Sequence, residues 1–136
     1  MKAKKSAKIL LCLALAFCFI SVIVSSCIQT DMGKVYISEL RVVDEAGYEV
    51  SVQLYRPKTA TKENPAPAVI TIEGWYNNKE MQDLYSVELA RRGYVVLATD
   101  MHGHGDSEAT TSEELFTAGV GTDAAVQLAA TLPYVD

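Results

Sequence analysis

The sequence has no histidine outside one short stretch, no cysteine after Cys27 and no long basic run after its first residues. Each absence removes a class of protein. With Cys27 the sole cysteine beyond the apolar leader, no internal disulfide framework is available to the rest of the chain. The formal net charge is -5, and Lys2, Lys4, Lys5 and Lys8 contribute four positive charges before the first acidic residue. Everything from Ile9 onward therefore sums to -9. A chain this acidic cannot track a phosphate backbone, so nucleic acid is excluded as a partner. No repeat, low-complexity tract or second linker is present.

The leading lysines precede I-L-L-C-L-A-L-A-F-C-F-I-S-V-I-V from Ile9 to Val24. An uncharged apolar run of this kind is a membrane-targeting segment, because a surface helix would need a polar face. A cleavable signal uses roughly 7–15 apolar residues and a spanning helix about 20. Extension through Ser25, Ser26, Cys27 and Ile28 reaches the second length. V-S-S-C at Val24–Cys27 resembles the lipobox of bacterial lipoproteins, which makes Cys27 a possible lipidation site. Cleaved, lipidated and spanning forms all stay open. Each keeps the lysines in the cytoplasm and places the domain on the extracytoplasmic side of the cell membrane. Residues 1–28 are thus a signal or anchor segment, and 29–136 form one domain.

Beyond a polar spacer at Gln29–Lys34, Val35–Val43 and Tyr48–Tyr55 are β-rich, and Asp44, Glu45, Ala46 and Gly47 carry turn chemistry between them. A hairpin is expected. The loop Arg56–Pro67 leads to Ala68–Glu73 (A-V-I-T-I-E), which has the composition of a buried strand. Asn78–Arg92 then changes period, with Met81, Leu84, Tyr85 and Leu89 near helical spacing and Gly93 as the stop. Tyr94–Thr99 (Y-V-V-L-A-T) has the continuous apolar pattern of a strand buried on both faces. A short helix is expected at Thr110–Glu114, and another at Thr122–Leu132, stopped by Pro133. Hairpin, strand, helix, strand, helix opens an α/β sheet with parallel strands and crossover helices.

The concentrated chemistry lies in D-M-H-G-H-G-D-S-E at Asp100–Glu108. His102, His104 and Asp106 open an H-x-H-x-D metal pattern, but Ser107 stands where a third histidine belongs, and zinc catalysis uses three protein ligands plus water. Ser107, within G-D-S, resembles a serine nucleophile. Such a serine sits at a sharp turn directly off a strand, and here the strand ends several residues earlier. Ala109 replaces the closing glycine of G-x-S-x-G, and no histidine follows Ser107 to act as its base. The remaining alternative is a structural turn.

A-P-A-V-I-T-I-E-G-W at 66–75, followed by E-L-A-R-R-G-Y-V-V-L-A-T-D-M-H-G-H-G-D-S at 88–107, resembles the first half of an α/β-hydrolase. There an apolar strand runs into H-G, a helix follows, and R-G-Y-x-V precedes D-x-x-G-H-G-x-S. With the leader and G-W-Y-N-N-K-E-M-Q-D-L, the chain is most similar to membrane-anchored bacterial members near the serine aminopeptidase and dienelactone hydrolase branches. The resemblance implies an ester- or peptide-cleaving serine hydrolase acting on a small acyl or peptide substrate without a cofactor. Its nucleophile, acid and base would all fall after Asp136, so this chain is expected to be an amino-terminal fragment that is inactive by itself. The resemblance further implies that the loop after Ala68–Glu73 supplies half of the oxyanion hole through the backbone N–H of Trp75 or Tyr76. Asp100, Gly103, His104, Gly105 and Ser107 would shape a structural turn, with His102 exposed. Glu73 departs from the pattern by replacing the histidine before the glycine, which places a carboxylate where negative charge develops. A non-catalytic, membrane-tethered binding or scaffold protein on a partial hydrolase fold is the competing alternative.

If residues 1–28 attach the chain, cell lysis without detergent should leave it in the membrane pellet. Cys27→Ala should release it only in the lipidated form; recovery of the unmodified chain in the soluble fraction would contradict attachment.

Overall fold

A computed structural model describes residues 2–111, 113 and 119–136, with no side-chain description for 2–4. The leader forms one helix, α1 (Lys2–Gln29), whose side chains from Lys5 to Ser26 are all exposed. The stretch Lys5–Gln29 is long and apolar enough to cross a bilayer. Below it the chain reverses tightly through Asp31, Met32 and Gly33, all at positive φ. The Thr30 hydroxyl donates back to the Ser26 carbonyl at 2.6 Å. Arg91 then holds the bend to the domain through Asp31 at 2.8 Å.

The expected hairpin forms from β1 (Val35–Val43) and β2 (Glu49–Pro57), in a register that pairs Val35 with Pro57. Asp44 closes its turn by accepting the amides of Ala46 and Tyr48, each at 2.9 Å. β3 (Ala68–Ile72) leads into a 3₁₀ turn at Lys79–Gln82 and α2 (Asp83–Arg91). The chain returns as β4 (Val95–Thr99) and later forms α3 (Thr122–Thr131). The sheet order is β1-β2-β4-β3, with β4 antiparallel to β2 and parallel to β3.

The period of two along β4 divides the core. Val95 and Leu97 face the cluster of Val50, Val52, Leu54, Ala124, Ala125 and Ala129 beneath α3. Val96 and Ala98 face Val35, Tyr55 and Ala90 beneath α2. All five β4 residues are buried, as the continuous apolar pattern predicts. The short helix expected at Thr110–Glu114 runs through Ser112 and Glu114, which lie outside the described residues.

Two expectations need correction. Of the four apolar residues near helical spacing after β3, only Leu89 packs against the core: Leu84 is 84% exposed, and Met81 and Tyr85 are also exposed. The buried positions are Ser86 and Ala90, one turn apart, with Val87 and Leu89 packed beside them. Small side chains let the helix backbone lie close to the sheet, so the largest apolar residues are turned outward. β3 is an edge strand and only half-buried. Its neighbour β4 occupies the interior, because it is paired on both sides, with β2 and with β3, and is covered on both faces.

Leu97→Ala should cost about 2–5 kcal/mol by leaving a cavity under α3, whereas Leu84→Ala should fall within about 0.5 kcal/mol of the parent. Urea unfolding of the two variants checks this, and equal losses would restore the stripe to the core.

Candidate functional site

β3 and β4 run parallel, with Ile72 opposite Thr99, so their carboxyl-terminal ends deliver two loops side by side. One is the segment from Glu73 to Lys79; the other is the turn that starts at Asp100. In open α/β sheets this end is where ligands bind.

Asp100 is fully buried and organises both loops. Its Oδ1 accepts the Lys79 amide at 2.6 Å, and its Oδ2 accepts Lys79 Nζ at 2.8 Å and the Asp106 amide at 3.0 Å. Lys79, 1% exposed, also donates to Asp106 Oδ2 at 3.0 Å and lies 3.1 Å from Glu80 Oε1. Burial alone would pull this ammonium's pKa down. The bonds to Asp100, Asp106 and Glu80 outweigh burial and hold the pKa above the ordinary 10.5. The hydrogen bond from Lys79, then its charge, holds the Asp106 carboxyl below its ordinary 3.8. Gly105 is required by contact as well as by its φ of +47°: a Cβ there would lie 2.3 Å from the Asp100 carboxylate.

Ser107 belongs to the same turn. Its hydroxyl donates to the Asp100 carbonyl at 2.8 Å and accepts the Ser51 amide at 2.9 Å, tying the turn to β2. Its one proton is thereby committed to a backbone carbonyl, and among the described residues no imidazole is paired with it.

The two histidines part company. His104 Nδ1 lies 3.0 Å from Glu73 Oε1. His102 turns inward, with Nε2 2.9 Å from Asp44 Oδ2 and its ring 5.6 Å from that of Tyr48. The expectation that His102 is exposed is therefore corrected: it is 2% exposed. The physical reason is the room left by Gly121, where a Cβ would approach His102 Nε2 to 3.0 Å, together with the buried Asp44 carboxylate. Pairing with different acids separates the imidazoles that a shared metal would need. Among the described residues no group of three ligand side chains comes together.

Glu73 leaves the end of β3 and reaches across to the turn. Its Oε1 accepts the Met101 amide at 2.8 Å as well as meeting His104, while Oε2 is buried without a partner. The carboxylate is thus engaged on the side of the Asp100 turn. Trp75 and Tyr76, the expected oxyanion donors, follow at once. The Trp75 ring stands edge-on to His104 at 6.0 Å. Tyr76 is 96% exposed and held at a φ of +61°, an uncommon conformation for a bulky residue. Among the described residues no backbone hydrogen bond occupies the Tyr76 amide. Gly103 has a φ of +75°. Cys27 is a free thiol, partly buried, at the end of α1. A cleft of about 360 Å³ lies between that end and α2, lined by Ile28, Leu84 and Val87, and includes none of the loop residues.

Sequence reasoning missed Lys79, and it read Asp44 only as a turn residue, without its contact with His102. Lys79 sits in the polar run N-N-K-E and has the composition of a solvated helix start. Its one signal is a strand-ending acid, Asp100, that needs a buried counter-charge.

A hairpin feeding a mixed sheet, with a helix on each face and two loops meeting at the ends of the parallel strands, is the first part of an α/β-hydrolase. Within that class the chain belongs to the X-Pro dipeptidyl-peptidase (S15) family, whose model matches residues 46–125. A hypothetical protein from Pseudomonas aeruginosa superposes with a TM-score of 0.65 at 26% identity, over 76% of this chain and 33% of its own. An esterase from Exiguobacterium antarcticum gives 0.52 at 19% identity, over 67% and 31%. The thioesterase domain from the curacin biosynthetic pathway gives 0.53 at 20%, over 72% and 32%. At these identities the last two show the fold alone. The chain spans about a third of the length of each structure. No curated protein matches it.

Lys79→Met should cost about 3–5 kcal/mol at neutral pH by stranding the buried Asp100 carboxylate. A raised lysine pKa contributes stability that is complete below 10.5 and lost as pH rises through the folded value. Tyr55, raised first by burial and then by its bond to Asp83, adds a second alkaline loss from its ordinary 10.0. Thermal melts above about pH 10 should therefore fall less steeply for Lys79→Met than for the parent. Asp106 acts in the opposite range, its contribution being lost as pH falls below 3.8. Parallel alkaline limbs would exclude Lys79 as a titrating contributor.

Proposed function

We propose that this chain is the amino-terminal part of a membrane-attached serine hydrolase that cleaves ester or peptide bonds. The serine, acid and base would come from chain following Asp136, and Trp75 or Tyr76 would donate one backbone N–H to the oxyanion. Helix α1 would anchor the domain on the extracytoplasmic side, with Cys27 as the alternative attachment point. The substrate would be a small acyl compound or peptide; the matched family's X-Pro dipeptidyl-peptidase name supports peptides, and the esterase neighbour supports esters.

One observation carries this proposal. Val135 pairs in parallel with Ala66: the Ala66 amide donates to the Tyr134 carbonyl at 3.0 Å and the Asp136 amide to the Ala66 carbonyl at 3.0 Å. This is a parallel rung on the open side of β3, where a further strand would pair. Continued in that register, the chain would run along β3 and end level with the Glu73–Lys79 loop. A nucleophile at a strand-to-helix turn belongs at that end. The oxyanion donor would then already be beside it, and a tetrahedral oxyanion would take the Tyr76 or Trp75 N–H together with the amide after the serine.

The full chain in detergent should take up no fluorophosphonate probe. The longer protein that this proposal requires should be labelled at a serine beyond Asp136, unaffected by Ser107→Ala. Labelling of Ser107, or an unlabelled longer protein, would overturn the proposal; the second outcome would favour the binding protein.

A further inference from the structure

We infer that Glu73 and Lys79 are positioning residues, which strap the two ends of the Gly74–Asn78 loop to a single turn and so fix the Trp75 and Tyr76 amides. The inference rests on the oxyanion role proposed for those amides. The geometry beneath it does not.

The straps bracket the loop. Glu73, immediately before it, holds the Met101 amide at 2.8 Å and meets His104 at 3.0 Å. Lys79, immediately after it, holds Asp100 through both its amide, at 2.6 Å, and its ammonium, at 2.8 Å, and reaches Asp106 at 3.0 Å. All four partners lie in the turn that follows β4, so both ends of the loop are referred to the same rigid strand. Charge-assisted hydrogen bonds suit this purpose because they are short and directional.

Two features show that the loop needs holding. Tyr76 sits in the left-handed region at φ +61°, which a bulky residue keeps only where its surroundings impose it. Within the loop itself the backbone supplies one bond, from the Asn77 amide to the Gly74 carbonyl at 3.2 Å. The direction of Glu73 matters equally. A carboxylate beside a loop of amides would ordinarily cap them and block an oxyanion. Here its Oε1 is engaged by the neighbouring turn, and the Tyr76 amide stays open to an acceptor.

Trp75, the one tryptophan in the chain, reports on the loop directly. In the full chain in detergent, Glu73→Ala and Lys79→Met should each raise the subnanosecond component of the Trp75 fluorescence anisotropy decay by about twofold. Far-UV circular dichroism should be unchanged. Glu73→Gln, which keeps an acceptor for Met101, should recover most of the parent decay. Where Lys79→Met fails to fold, the Glu73→Ala and Glu73→Gln pair decides the matter. A folded Glu73→Ala chain with the parent's anisotropy decay would overturn the inference. In the longer protein, Glu73→Ala should lower kcat by about tenfold with KM nearly unchanged. Absence of hydrolysis there would count against the proposed function alone, since the anisotropy is read without substrate.

Discussion

The buried pair of Lys79 and Asp100 is the contact on which the carboxyl-terminal end of the sheet depends. An ammonium and a carboxylate removed from water are costly unless each finds hydrogen-bonding partners, and here each does. Asp100 receives the amides of Lys79 and Asp106 as well as the ammonium, and Lys79 is shared with Asp106 and Glu80. The pair joins a residue after β3 to the residue after β4, so the ends of two parallel strands become one unit. Gly105 follows from it, since any side chain there would enter the Asp100 carboxylate. Ser107 follows too, since its hydroxyl closes the turn on Asp100's own carbonyl and on β2.

The histidine-rich stretch acquires a different meaning through this network. Its acids and glycines are arranged around Lys79, and its histidines are distributed to either side. His104 serves the junction with Glu73 and Trp75, while His102 packs under the hairpin turn beside Asp44. Residues adjacent in sequence thus work in separate places. Two places apart in extended chain they share a side, but the positive φ of Gly103, which stands between them, breaks that alternation.

The edge position of β3 ties fold to function. A parallel strand rich in Val and Ile with an unpaired outer side is normally covered. Here the Ala66–Val135 rung lies on that outer side, at the amino-terminal end of β3. α1 is joined to the opposite end of the domain by a short, braced bend rather than by a free tether, through Asp31 to Arg91. An attached α1 would therefore fix the orientation of the sheet relative to the bilayer.

Much of the fold was legible in the sequence because it rests on local periodicity and turn chemistry. The leader, the hairpin around Asp44–Gly47, the doubly buried β4 and the helix stopped before Pro133 each follow from apolar period and breaker residues. The family pattern was legible for the same reason, as strands and glycines at fixed spacing. Which face of α2 meets the sheet was not, because Ser86 and Ala90 win the interface by being small, and apolar counting favours Leu84 and Tyr85. The partners of the charged residues were equally hidden. Only the tertiary structure brings Lys79 to Asp100, Glu73 to Met101 and His102 to Asp44, since each contact joins separate elements and burial alone selects which charges must find one another.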